Sequence, residues 1–251
     1  MSDKVRILIC DDHALFREGI KALLAHEPSF EVVGEATDGR EAVTMAATLR
    51  PDIILMDIAM PDLSGYEATR RIKQANKAAR VLILTMYDDE DIIARCLDAG
   101  ASGYVLKDTP AMQLIYAIQT VRKGGKYLSP EVMKKVVNQY VSGAVRAETR
   151  YDRLSGRERE ILKLLADGLS VKEVASRLDL SVKTVDVHKY NLMRKLDIHD
   201  RAELIKYAIQ NKLIGMPLAD RAFTAGRRRK SGRFEPQRHK EHKEPQRKSS
   251  L

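Results

Sequence analysis

The chain has 251 residues, enough for two ordinary domains, and 44% of them are apolar, enough to fill two cores. Its formal charge of +9 is unevenly spread: residues 1–149 hold 19 Lys+Arg against 21 Asp+Glu, residues 150–215 hold 14 against 10, and residues 216–251 hold 11 against 4, so the second half is the part suited to a polyanion. No apolar stretch reaches the length of a membrane span, the N-terminus meets Asp11 too soon for a signal peptide, and Cys10 and Cys96 fall inside a predicted strand and a predicted helix, so buried reduced thiols are expected ahead of a disulfide and a cytoplasmic protein ahead of a membrane or secreted one.

Residues 5–122 alternate strand and helix five times. Strands are predicted near 5–10, 31–35, 52–57, 80–85 and 103–106, each a short run rich in Ile, Val and Leu. Helices are predicted near 14–26, 39–49, 65–76, 89–99 and 110–122. This alternation calls for a parallel sheet covered on both faces. Gly124-Gly125 ends the last helix, and Pro130 can open a short one over 130–141. Residues 142–150 read as a flexible linker. A helical unit follows. Ser155 with Glu158 and Ser170 with Glu173 have capping-box spacing. Ser181 can cap a helix running to Leu196, and a last helix is predicted from Ala202 to Gln210. Residues 216–251 show no apolar periodicity and read as a disordered basic tail.

Polar residues stand where the strands end. Asp11-Asp12 follow the first, Asp57 ends the third, Thr85 ends the fourth and Lys107 follows the fifth. Ligands of open parallel sheets bind at the carboxyl edge, so these residues should converge there. Three carboxylates together repel unless a cation joins them, and all-oxygen ligands suit Mg2+. A hydroxyl and an ammonium beside them suit a phosphoryl group. Taken singly, an acid at a strand end is as often a helix cap, and Tyr104 alone is more often core packing. His13 reads as helix-start surface rather than as a ligand.

The ordered set Asp11-Asp12, LMDIAMPDLSGYE at 55–67, Thr85 and Tyr104 through Asp108 resembles a two-component receiver domain over residues 3–122. The resemblance implies a doubly wound five-stranded sheet of flavodoxin-like order 2-1-3-4-5. It implies that Asp57 accepts a phosphoryl group from a sensor histidine kinase. It implies Mg2+ held by Asp12, Asp57 and the Ala59 carbonyl, with Asp11 acting through water. Thr85, Lys107 and the switch aromatic Tyr104 complete the site, Tyr104 turning inward when Thr85 moves. Haloacid-dehalogenase-like phosphatases also phosphorylate an aspartate. They need a second aspartate two residues on, where this chain has Ala59. The expected chemistry is therefore self-phosphorylation and self-dephosphorylation, not turnover of an outside substrate.

Residues 154–196, LSGREREILKLLADGLSVKEVASRLDLSVKTVDVHKYNLMRKL, resemble the LuxR-type helix-turn-helix, and the whole chain resembles the NarL/FixJ response regulators. Leu162, Leu165, Val174, Ala175, Leu178, Val185 and Leu192 can bury a small four-helix core. The helix 182–196 would be about 22 Å long, enough to lie across a major groove. Lys183, Asp186, Val187, Tyr190 and Arg194 share the opposite face. The resemblance adds Thr184, His188 and Asn191 as DNA contacts. The family often has lysine at Asp186 and asparagine at Val171, a departure that bears on which DNA site is read. The expected division is a receiver at 3–122, a linker with a short helix at 123–149, the DNA-binding domain at 150–215 and the tail at 216–251. The expected partners are a histidine kinase, promoter DNA, a second copy when phosphorylated, and RNA polymerase as a further candidate. A basic face that is merely solvated, and an adaptor that binds protein through its second half, stay open as alternatives.

Overall fold

The computed structural model describes residues 4–141, 149–211 and 213–214, without the side chains of 139 and 140. The central layer is a parallel sheet. Its strands are β1 (Val5–Cys10), β2 (Phe30–Ala36), β3 (Ile53–Met56), β4 (Val81–Thr85), β5 (Gly103–Leu106) and β6 (Tyr127–Leu128), in the order β2-β1-β3-β4-β5-β6. All five pairings are parallel. Strands β3, β4 and β5 are buried on both faces, which is why their sequences are unbroken apolar runs.

Helices α1 (Ala14–Ala25), α2 (Gly39–Leu49), α3 (Gly65–Ala75), α4 (Glu90–Asp98) and α5 (Ala111–Arg122) are the crossovers. One core lies under α1 and α5, around Ile7, Ile9, Leu55, Leu82 and Ile118. The other lies under α2, α3 and α4, around Leu8, Met56, Ile83 and Tyr104. Cys10 and Cys96 are free thiols buried in that second core, and burial holds both far above the usual thiol range.

The sheet has six strands where five were expected. β6 is two residues long and takes its place from pairing alone, Gly103 opposite Tyr127 and Tyr104 opposite Leu128. A run that short carries no periodicity. Helix α6 (Pro130–Val141) follows, with Val132 buried. The expected linker falls mostly on residues 142–148, and these and the tail lie outside the described residues.

The helical unit comprises α7 (Gly156–Ala166), α8 (Val171–Leu178), α9 (Val182–Leu196) and α10 (Arg201–Gln210). Both capping boxes form: Ser155 with Glu158 at α7 and Ser170 with Glu173 at α8. Each satisfies two of the amides that a helix start leaves orphaned. The seven expected core residues are all buried. Leu204 and Ala208 of α10 join them. Ile205 and Ile209 of the same helix remain partly open. The buried apolar cluster runs without a break from the receiver sheet through Tyr66 and Tyr151 into this unit. Among the described residues no helix is long and apolar enough to cross a membrane.

Candidate phosphoacceptor and DNA-reading sites

The carboxyl edge of the sheet brings the expected residues together. Asp57 follows β3, the third strand of the order, and its amide donates to the Cys10 carbonyl at 2.8 Å. Its side chain and that of Asp11 are buried, whereas Asp12 is exposed. Lys107 is placed by its own amide on the Thr85 carbonyl. Its Nζ lies 2.6 Å from Asp11 Oδ2 and 3.0 Å from Asp57 Oδ2. Burial pushes the Asp57 carboxyl above the usual range, Lys107 opposes it, and Asp11 adds to the push. One ammonium therefore faces two buried carboxylates, and Asp12 lies beside them with His13 Nδ1 at 2.8 Å.

Two features mark the pocket as built for more than an internal ion pair. The Thr85 hydroxyl is fully buried and, among the described residues, has no hydrogen-bond partner. Such a group costs free energy unless something else uses it. One ligand atom each from Asp11, Asp12, His13 and Asp57 also lies within 4.8 Å of the others. The three carboxylates of that set fit a hard divalent cation, which takes oxygen ligands. Sequence reasoning places His13 on the surface. It is exposed and sits at the N-cap of α1, yet its Nδ1 lies 2.8 Å from Asp12 Oδ1 and 3.2 Å from Asp11 Oδ1.

Tyr104 is fully buried and donates its hydroxyl to the Tyr87 carbonyl at 2.7 Å. The aromatic expected to turn inward is already inward here. Ala59 is half-buried beside the pocket in the loop between β3 and α3. That loop is held tightly at its far end. Gly65 donates to the Ile58 carbonyl at 3.0 Å, and a Cβ on Gly65 would stand 1.7 Å from the Asp57 carbonyl oxygen. Only glycine permits that approach.

In the second unit, Ser181 caps α9 by accepting from the Thr184 amide. Val185, Leu192 and Leu196 point into the core. Lys183, Asp186, Val187, Tyr190 and Arg194 are exposed, with Val187 and Tyr190 at 52% and 67%. Thr184, His188 and Asn191 are half-buried at the margins, and the Thr184 hydroxyl lies 2.7 Å from that of Ser181. The face is thus open along its length, with two aromatic or apolar residues between its charges.

Sequence reasoning does not anticipate a seam of buried charge between α3 and α7. Glu160 is fully buried and pairs with Arg40, with Arg71 at 3.1 Å and with Arg157 at 2.9 Å. Glu67 pairs with Arg159 at 3.2 Å. The Tyr66 and Tyr151 hydroxyls are hydrogen-bonded, and both phenols are held above their usual range by burial. Arg177 pairs with Asp62.

Residues 7–119 match the response regulator receiver domain family, and residues 152–208 match the luxR family of bacterial regulatory proteins. The chain belongs to the response regulators of the NarL/FixJ type, in which a receiver is joined to a LuxR-type helix-turn-helix. It is a phosphorylation-regulated, DNA-binding transcription regulator. Among its relatives, the transcriptional regulatory protein DegU of Brevibacillus brevis is 40% identical over 223 residues, covering 83% of this chain and 94% of the relative. The oxygen regulatory protein NreC of Staphylococcus haemolyticus is 41% identical over 215 residues, covering 84% of this chain and 99% of the relative. A structure of RcsB from Salmonella enterica serovar Typhimurium, bound to a promoter in the presence of the phosphomimetic BeF3−, is 27% identical with a TM-score of 0.55. That alignment covers 82% of this chain and 98% of RcsB.

Proposed function

We propose that Asp57 is the phosphoacceptor, that its donor is the phosphohistidine of a sensor histidine kinase, and that the modified chain binds promoter DNA as a homodimer through α9. The observation that carries this reading is the sheet edge itself: a buried carboxylate with one ammonium at 3.0 Å, and, at the end of the neighbouring strand β4, a buried hydroxyl with no partner among the described residues. An Asp57 oxygen attacks phosphorus and the bond to the histidine nitrogen breaks, so the phosphoryl group passes to the carboxylate. Lys107 stabilises charge on the transferred oxygens as a fixed point charge. The Thr85 hydroxyl, freed of other partners, donates to one of them. Asp11, Asp12, Asp57 and the Ala59 carbonyl would hold Mg2+. The cation supplies charge neutralisation for the incoming dianion when bound. The missing acid at Ala59 fits an acyl phosphate that persists long enough to signal.

The RcsB dimers solved on DNA support a dimeric reading, in which two α9 helices meet half-sites about one helical turn apart. The two buried free thiols fit a reducing, cytoplasmic setting. RNA polymerase is the partner through which promoter occupancy would be read. The test is labelling with acetyl phosphate and Mg2+. Wild type should take up one base-labile phosphoryl group, and Asp57→Asn none. Persistent base-labile label on Asp57→Asn would overturn the assignment.

A further inference from the structure

We propose that Asp186 reads a cytosine: its carboxylate accepts a hydrogen bond from the N4 amino group of a C·G pair in the major groove, one such pair in each half-site. This rests on α9 being the DNA-reading helix and adds the base that one flank of it selects.

Asp186 is exposed in the N-terminal half of α9, the part of a recognition helix that meets base edges. The helix cannot roll to turn it away. Ser181 holds the start through the Thr184 amide at 3.0 Å, and Val185, the neighbour of Asp186, is fully buried together with Leu192. An aspartate stem is a single methylene, so the helix itself sets where the carboxylate stands. The carboxylate is also uncommitted. Elsewhere in the helical unit Glu158, Asp167 and Asp197 pair with lysine or arginine, and Glu173, Asp200 and Glu203 accept from backbone amides. Among the described residues of this unit, only Asp179 and Asp186 have carboxylates with neither an ion pair nor a hydrogen bond. Asp179 closes α8 and is not part of α9. Asp186 is thus the one uncommitted acid on the reading helix, in a groove that Tyr190 and Arg194 also line.

A carboxylate brought against DNA has few uses. It accepts hydrogen bonds and donates none, and phosphate repels it. In the major groove guanine and thymine present acceptors alone, so they repel it as well. Two amino donors remain, cytosine N4 and adenine N6. Adenine sets its N7 acceptor beside N6, so a carboxylate there would turn one oxygen onto a lone pair. An amide, with a donor and an acceptor, is the match for adenine. Cytosine has a C–H beside its N4 and no acceptor, which suits a carboxylate. Lys183 and Arg194, exposed on the same helix, are left to meet phosphate. Asp186 therefore adds discrimination, and the cations around it add affinity.

The test is selection from a random DNA library by the full chain, treated with acetyl phosphate and Mg2+, as wild type and as Asp186→Ala, Asp186→Asn and Asp186→Lys. The side chain is exposed, so all three variants should fold. Wild type should select C·G at one position of each half-site, with any other pair there binding roughly tenfold more weakly. Asp186→Ala should lose the preference at that position alone. Asp186→Asn should move it to adenine, whose N6 and N7 an amide meets, and Asp186→Lys should move it to guanine. The proposal is overturned if the variants keep the wild-type preference at every position. It is equally overturned if they bind selected and random DNA more tightly by one common factor, because the carboxylate is then only a repelling charge. A selected motif that Asp186 does not alter leaves α9 as the reading helix and removes this role alone, whereas wild type that selects no motif removes both.

Discussion

Two clusters of charge, each with a buried centre, differ in balance in this molecule. In the seam between α3 and α7, Glu67 and Glu160 are answered by Arg40, Arg71, Arg157 and Arg159. At the sheet edge, Asp11 and Asp57 face Lys107, and Asp12 pairs with His13 alongside. Both clusters cost desolvation to assemble. In the seam the protein supplies the compensation itself, so the charges hold the structure. At the edge it leaves carboxylates in excess and, among the described residues, a hydroxyl unpartnered, and under the proposed function a cation and a phosphoryl group would supply the compensation. Imbalance, rather than burial or charge number, separates a reactive site from a structural one.

That contrast can be broken most forcefully at Glu160. Glu160→Ala leaves three guanidinium groups around a void and should cost about 2–3 kcal/mol. This lies below the cost for a wholly buried pair, because the arginines keep about a third of their side chains in water. Asp57→Asn, measured by the same urea titration in the presence of a chelator, should cost nothing or stabilise, because it relieves excess negative charge. Equal losses in the two variants would erase the distinction.

The next effect concerns output. Lys107→Ala should still be labelled, but the gain in DNA affinity on phosphorylation, roughly tenfold or about 1.4 kcal/mol, should disappear. Lys107 touches both Asp11 and Asp57 and is placed through the Thr85 carbonyl, so it joins the modified residue to β4 and β5. A normal affinity shift in phosphorylated Lys107→Ala would refute that role.

The edge cluster is legible in sequence because each member follows an apolar run and topology collects strand ends. The helix starts are legible because Ser155, Ser170 and Ser181 sit at fixed offsets from the amides they cap. The seam is not. Glu67, Arg159 and Glu160 fall on helices amid other charges, where single-sequence periodicity reads solvent. Their partners lie 89 to 120 residues away. β6 escapes for a related reason, since pairing partners rather than its own residues define it.

A smaller effect tests the capping argument. Ser155→Ala should cost about 1 kcal/mol. Glu158 shares that cap. Its burial raises the carboxyl, but the hydrogen bonds from Lys195 and Ser155 outweigh it and hold it below its usual range. With the folded value depressed, its contribution is present above the ordinary carboxylate range and is lost as pH falls through the folded value. Glu158→Gln should therefore lower stability at neutral pH and match wild type in strong acid. A gap between the two that is constant with pH would contradict this.

The smallest effect at physiological salt belongs to residues 216–251, which hold 11 Lys+Arg against 4 Asp+Glu. Deleting 221–251 should weaken binding to specific and random DNA by similar factors. It should also flatten the salt dependence, by close to one unit of slope for each phosphate that the shortened chain leaves unneutralised. Selective harm to the specific site would assign the segment another role.

The central claim is that the state of Asp57 sets the affinity of α9 for DNA. The direct measurement takes a fragment recovered by genome-wide mapping of bound DNA and titrates it by fluorescence anisotropy, with and without acetyl phosphate and Mg2+. Wild type should tighten on phosphorylation, and Asp57→Asn should give the same curve in both conditions. Equal tightening of both proteins, or no tightening of wild type carrying one phosphoryl group per chain, would contradict the account.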